Sequence, residues 1–105
     1  MDADETRKRI LECARQQGKD VSPERILVAV PKPSGYNVSS YSDFLDAEKH
    51  ALKVAISQGS DTNPIIIMAL DSRLKGFWKA KAVDGKLDLE LVEYASNSPS
   101  IQISN

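Results

Sequence analysis

The sequence predicts a single α+β domain over residues 1–105, in which two helices pack on a mixed or antiparallel sheet of four to five strands. The predicted order is α-β-(β)-α-β-β-β, where the parentheses mark a short segment that is either a strand or a loop. Three observations support this order: two helical stretches that each end at a glycine, two runs that are apolar on both faces, and an Asp-Gly turn between alternating segments.

The first predicted helix begins at a capping-box pair, Asp2 and Glu5, and ends before Gly18. Its apolar residues form a narrow stripe around Ile10 and Ala14, and most of its circumference is charged. This pattern favours a surface helix with peripheral packing.

The first predicted strand covers residues 26–30 and ends at Pro31, which lacks a backbone donor. Residues 36–39 either return as a short strand or form a loop. If they are a strand, the order of elements resembles that of small roadblock or longin-type dimerising platforms, in layout only and with no motif to carry function. If they are a loop, residues 26–30 and 65–69 would be parallel neighbours.

The second helix is predicted to follow a cap at Ser40 or Ser42 and to end at Gly59. On a helical wheel its bulky apolar stripe is predicted to face the sheet, and a row of alanines lies on the adjoining flank. The alanine row is predicted to pack against the first helix or a second copy of the chain. The bulky residues are Leu45, Leu52 and Ile56, and the small ones are Ala47, Ala51 and Ala55.

The Asp84-Gly85 dipeptide predicts a hairpin with a two-residue type I′ turn, which places Val83 opposite Lys86. The same register sets Lys79 opposite Glu90 and Lys81 opposite Asp88 on one face. The other face would be apolar and would carry Trp78, Ala80, Ala82, Leu87, Leu89 and Leu91.

An apolar patch on the solvent side of this hairpin is predicted from Phe77, Val92 and Tyr94, and such a patch indicates a contact surface. A weaker alternative is nucleic-acid binding through residues 73–81, where Arg73, Lys75 and Phe77 have suitable side chains. The cross-strand acids oppose that alternative, because they cancel much of the charge of the lysines.

Few residues are candidates for a catalytic or metal-binding role. Glu48 falls inside the apolar arc of the second helix, where a carboxylate lining a pocket would be a candidate acid or base; a packed stem with a solvated head is the simpler interpretation. His50 is the only histidine, so neither a metal site nor a Ser- or Cys-based catalytic site is expected, nor is a cofactor. Tyr36 and Tyr41 flank a proline-rich loop that is either a rigid turn or a contact element.

Composition and charge limit the partners and the cellular compartment that are expected. Fourteen basic and fifteen acidic residues give a net charge of −1, with both signs spread along the chain. Cys13 is the only cysteine, the first residues lack a secretory pattern, and no apolar run approaches the length of a membrane span. Residues 96–105 are expected to be a frayed tail or a short edge strand.

Together these patterns predict a cytoplasmic, non-catalytic protein-interaction module that self-associates, with a protein partner or a second copy as ligand. The alternative is a small ligand-binding protein or enzyme using Glu48, helped by His50 or Tyr41. No membrane, metal or nucleic-acid partner is expected.

Overall fold

The computed structural model describes the backbone of residues 3–58, 64–70 and 76–94, and the side chains of residues 5–58, 64–70 and 76–92. It confirms the α+β class. The helices are α1 (Ala3–Gln16) and α2 (Phe44–Gln58), and the strands are β1 (Ile26–Lys32), β2 (Gly35–Tyr41), β3 (Ile65–Ala69), β4 (Gly76–Val83) and β5 (Lys86–Tyr94). The predicted tail at residues 96–105 and the glycine at 59 lie outside the described residues.

The five strands form one sheet in the order β2-β1-β3-β4-β5, and every neighbouring pair is antiparallel. The segment left open by the sequence is therefore a strand: β2 returns along β1, with Lys32 opposite Gly35 across a Pro33-Ser34 turn. Strand β3 lies in the middle of the sheet and all its residues are buried, as its apolar sequence predicts.

The two helices cover opposite faces of the sheet, so the domain has three layers. Helix α1 lies mainly over β2. It inserts Ile10 and Ala14, both fully buried, into a core that is more central than the predicted peripheral packing. That core is completed by Leu27, Ala29, Val38, Ile66, Met68 and Phe77.

Helix α2 covers the opposite face through its alanines, which corrects the predicted orientation. Its three buried residues are Ala47, Ala51 and Ala55, and they pack with Val28, Ile65, Ile67 and Ala80. Two residues of the bulky stripe point away, Leu45 at 54% exposed and Ile56 at 56% exposed, and the third, Leu52, is half-buried. Small side chains on the helix face large ones on the sheet, which lets the helix approach closely.

Two predicted boundaries also change. The cap of α2 is Asp43, whose Oδ1 accepts the backbone N–H of Leu45 at 3.2 Å, whereas Ser40 belongs to β2. Strand β1 continues through Pro31 to Lys32. Proline is tolerated there because β1 pairs with β3 only as far as Ala29.

The β4–β5 hairpin has the register that its turn predicts. Asp84 and Gly85 both adopt positive φ, at 54° and 76°. The ladder runs from Val83 opposite Lys86 to Trp78 opposite Leu91. Beyond that pair the register shifts, because Phe77 lies opposite Glu93 and Val92 is the extra residue of a β-bulge.

Candidate functional site

The two outer strands of the described sheet, β2 and β5, differ in whether a described side chain covers their outer edge. At the β2 edge, the side chain of Gln17 acts like a short strand: its Nε2 donates to the Tyr36 carbonyl at 2.7 Å, and its Oε1 accepts the Val38 N–H at 2.9 Å. Unpaired strand edges attract other chains, and covering them is a common protection. The edge of β2 is therefore occupied by the chain itself.

Strand β5 lies at the other end of the sheet. Among the described strands, β5 has a neighbour on one side only, β4. A two-residue hairpin makes Val83 and Lys86 a hydrogen-bonded pair, so backbone groups of β5 point alternately toward and away from β4. The residues whose backbone N–H and C=O groups point away from β4 are Leu87, Leu89 and Leu91.

Apolar side chains lie along this edge. Leu87 and Leu89 are half-buried against the α2-side core. Leu91 is 42% exposed, and Val92 beside it is 37% exposed at the bulge. Helix α2 packs against β5 on this face. We call the outward backbone of β5 together with these four side chains the β5 edge.

Of the predicted contact residues, the structure leaves only some accessible. Phe77 is 0% exposed and belongs to the α1-side core, so the predicted patch with Val92 and Tyr94 does not form as expected. Phe77 lies on the same face as Lys79 and Lys81, as the alternation predicts, but helix α1 covers that end of the face. The bulge in addition removes Val92 from the position opposite Phe77. Tyr94 pairs with Gly76 through its backbone.

The alanine row is likewise unavailable to a second copy. Ala47 and Ala51 are fully buried against the sheet and Ala55 is nearly so. The prediction that this row packs against the first helix or a second copy was wrong, because the row contacts the chain's own β-strands instead.

The lysines and acids of the hairpin share the α1 side of the sheet, at the part that α1 leaves uncovered. Lys79 lies opposite Glu90 and Lys81 opposite Asp88, as predicted. Among the described side chains, neither lysine forms an ion pair within 4.0 Å; the pair that does form joins Arg25 and Asp20 at 3.6 Å. The opposed charges are neighbours by register rather than salt bridges.

The nucleic-acid alternative loses its aromatic group. Phe77 lies in the core and cannot stack on a base. Arg73 and Lys75 lie outside the described residues. The remaining lysines, Lys79 and Lys81, each face a carboxylate across the strand pair.

Tyr41 and His50 form a side-chain pair that the sequence did not predict as a unit. The Tyr41 hydroxyl lies 2.6 Å from His50 Nδ1, and the two rings meet edge to face at 5.6 Å between centroids. Both residues are half-buried between the end of β2 and α2. With the imidazole neutral and its proton on Nε2, the hydroxyl donates to Nδ1. Tyr36 is also half-buried, and the proline-rich loop is a hairpin turn.

We expect this pair to make stability depend on pH. Burial lowers the pKa of His50 below its ordinary value of 6.5, and the nearby Lys53 adds to the effect. The unfolded chain therefore takes up a proton before the folded one as pH falls, so stability decreases from about pH 7 downward until the lowered folded pKa is passed. Urea unfolding at several pH values should show a steeper loss for the wild type than for His50→Gln. Equal slopes for the two proteins would contradict this.

Glu48 is half-buried on the flank of α2. A surface cavity among the described residues lies elsewhere, on the outer side of α1, and is lined by Glu5, Lys8, Arg9, Leu11, Glu12 and Arg15. The catalytic hypothesis for Glu48 and His50 therefore gains no support from that cavity. In the described part of the chain, no three His, Cys, Asp or Glu side chains come together as a metal-binding group.

Comparisons with protein-family models, with curated proteins and with solved structures each find no match. The resemblance in layout to dimerising platforms therefore carries no argument, and the site is argued from its own residues. Neither described helix is long and apolar enough to cross a membrane.

Proposed function

We propose that this chain is a non-catalytic protein-interaction module that associates with a second copy of itself through the β5 edge. One observation carries the proposal: the described sheet has two outer strands, and among the described residues a side chain, that of Gln17, fills the edge of β2 but none fills that of β5. An outer strand with exposed apolar side chains is a template for pairing with another strand.

The charges of β5 support a second copy as the partner. The strand carries one lysine, Lys86, and two exposed acids, Asp88 and Glu90, on the same face. In an antiparallel pair of β5 strands, Lys86 of each copy can therefore lie opposite an acid of the other. The net charge of −1 with interspersed signs leaves little repulsion between two copies. The lone Cys13, which cannot form an internal disulfide, supports a cytoplasmic location within this proposal.

The first test is the size of the wild-type protein in solution. Sedimentation velocity from about 1 μM to about 1 mM covers association free energies of about −8 to −4 kcal/mol. We expect a concentration-dependent dimer in this range. A strictly monomeric wild type would overturn the proposal.

Two substitutions at one position then locate the interface. Leu89→Pro removes an outward N–H of β5 and puts the proline ring in the path of a partner strand, so the dimer should be lost. Leu89→Ala is the matched control, since it also removes the leucine side chain but keeps the N–H, and it should still dimerise. Fluorescence of Trp78, the only tryptophan, verifies folding of both.

A third variant tests the other exposed apolar surface. Ile56→Lys places a charge on the outer side of α2, where the wild-type residue is 56% exposed. The dimer should be unaffected. Loss of the dimer in Ile56→Lys, with Leu89→Pro still dimeric, would move the interface to α2.

A further inference from the structure

We infer that the two copies join by antiparallel pairing of β5 with β5 centred on Asp88, with Lys86 of each copy opposite Glu90 of the other. This inference rests on the proposed function and specifies its geometry. It produces one continuous ten-stranded sheet from two five-stranded sheets.

The backbone of β5 restricts which residues can pair. Lys86, Asp88 and Glu90 direct their backbone groups toward β4, because each lies in a hydrogen-bonded position set by the two-residue turn. The leucines between them direct theirs outward. A partner strand must therefore bond to Leu87, Leu89 or Leu91.

Two-fold symmetry restricts the pairing further. When the axis stands perpendicular to the sheet, both copies keep the same face up, so residues that lie opposite each other share a face. Leucines then oppose leucines on the α2 side, and charged residues oppose charged residues on the other side. The pairing can be centred on any residue of β5, and the charges decide among the centres.

The centre at Asp88 is the one that the charges favour. It places Lys86 opposite the partner's Glu90 twice, and Leu87 opposite Leu89 twice, over a ladder of residues 86–90. A centre at Leu89 would set Asp88 opposite Glu90 twice, which is repulsive, and would extend the ladder into the bulge at Val92. A centre at Leu87 also pairs Lys86 with an acid, but its ladder covers only residues 86–88.

The favoured register also accommodates its one like-charge contact. The two Asp88 side chains meet near the axis, and each lies opposite Lys81 in its own hairpin. One row of side chains crosses β4 and β5 of one copy and then β5 and β4 of the other, and it consists of Lys81, Asp88, Asp88 and Lys81. The neighbouring row crosses the same four strands and consists of Lys79, Glu90, Lys86 and Val83. Apart from the central pair of Asp88 residues, each charged residue in these rows lies beside one of opposite sign, which is the complementarity that a symmetric contact requires.

A pair of charge reversals tests this register. In Lys86→Glu, the residue opposite within the hairpin is the uncharged Val83, so the change acts on the dimer contact and leaves the hairpin's own charge pairs intact. The dimer then has two Glu–Glu contacts, and its Kd should rise at least about tenfold, or about 1.4 kcal/mol. Glu90→Lys should weaken its own dimer similarly through two Lys–Lys contacts.

Mixing the two variants should restore association. In the mixed dimer both contacts again join a lysine to a glutamate, so an equimolar mixture should form a heterodimer with affinity close to that of the wild type. Sedimentation velocity with one variant fluorescently labelled measures this directly. Urea unfolding of each variant at concentrations below the Kd verifies that Glu90→Lys, which sets a second lysine opposite Lys79, has not unfolded the hairpin.

The outcomes separate the register from the function. A wild-type dimer that neither reversal weakens, or a mixture that remains monomeric, would overturn the register while leaving self-association intact. Glu90→Lys alone tightening the dimer would assign the centre to Leu89 and overturn the inference in the same way. A monomeric wild type would remove the proposed function as well.

Discussion

Replacing Ala51 by arginine is expected to unfold the domain. Ala51 is 0% exposed and lies between α2 and the sheet, packed with Val28 and Ile67 among others. The larger side chain overpacks a close helix–sheet contact, and the guanidinium would be buried without a partner. The expected loss is about 4 kcal/mol or more, a large part of the stability of a domain this size. Urea unfolding followed by Trp78 fluorescence measures it.

The matched control is Ile56→Arg on the opposite side of the same helix. There the arginine points into solvent, and the change should alter stability by no more than about 0.5 kcal/mol. A folded Ala51→Arg protein that differs from the wild type only in being monomeric would show that the alanine row faces another copy. That result would restore the orientation that the sequence predicts for α2.

The orientation of α2 shows what hydrophobic pattern alone misses. A helical wheel ranks the leucine and isoleucine stripe as the buried one because those residues are more apolar than alanine. The buried side is set by the sheet: β1 and β3 present Val28, Ile65 and Ile67, and the α2 residues that are buried against these bulky side chains are alanines. That choice depends on volumes in a partner layer that the helix sequence does not contain.

The β4–β5 hairpin was predictable because its geometry is local. Two adjacent residues with positive φ fix the turn, and the alternation of a strand fixes the facing residues as far as Trp78 and Leu91. The bulge at Val92 carries no comparable signal. The assignment of Phe77 to solvent fails for a different reason: the ring lies on the lysine face, as the alternation predicts, but α1 covers that end of the face, which no local pattern shows.

The candidate site was partly visible in the sequence. The charges of Lys86, Asp88 and Glu90 and their shared face follow from the turn, but the place of β5 at the end of the described sheet does not, since strand order is a long-range property. Gln17 gave no signal either, because its amide meets β2 across a separation of about twenty residues. The sequence contains a weak signal for the Tyr41–His50 pair, because the tyrosine ends β2 and the histidine lies in the second turn of the following helix.

Phe77→Ala is expected to have the largest effect of any truncation in the β4–β5 hairpin. The ring is fully buried, packs with Ile10 and Met68 among others, and lies under the guanidinium of Arg7 at 5.2 Å from its centroid. Removing it leaves a cavity at the centre of the α1-side core, which costs about 3–5 kcal/mol. Phe77→Leu refills most of that volume and should lose less than half as much.

Val92→Ala provides the comparison that distinguishes the core position from the surface patch that the sequence predicts. Val92 is 37% exposed on the bulge, so its truncation should cost about 1 kcal/mol or less. If Phe77 and Val92 lay side by side on the solvent face, both truncations would be mild and of similar size. A measured difference of several-fold between them, from urea unfolding under identical conditions, is what the bulge and the buried ring together require.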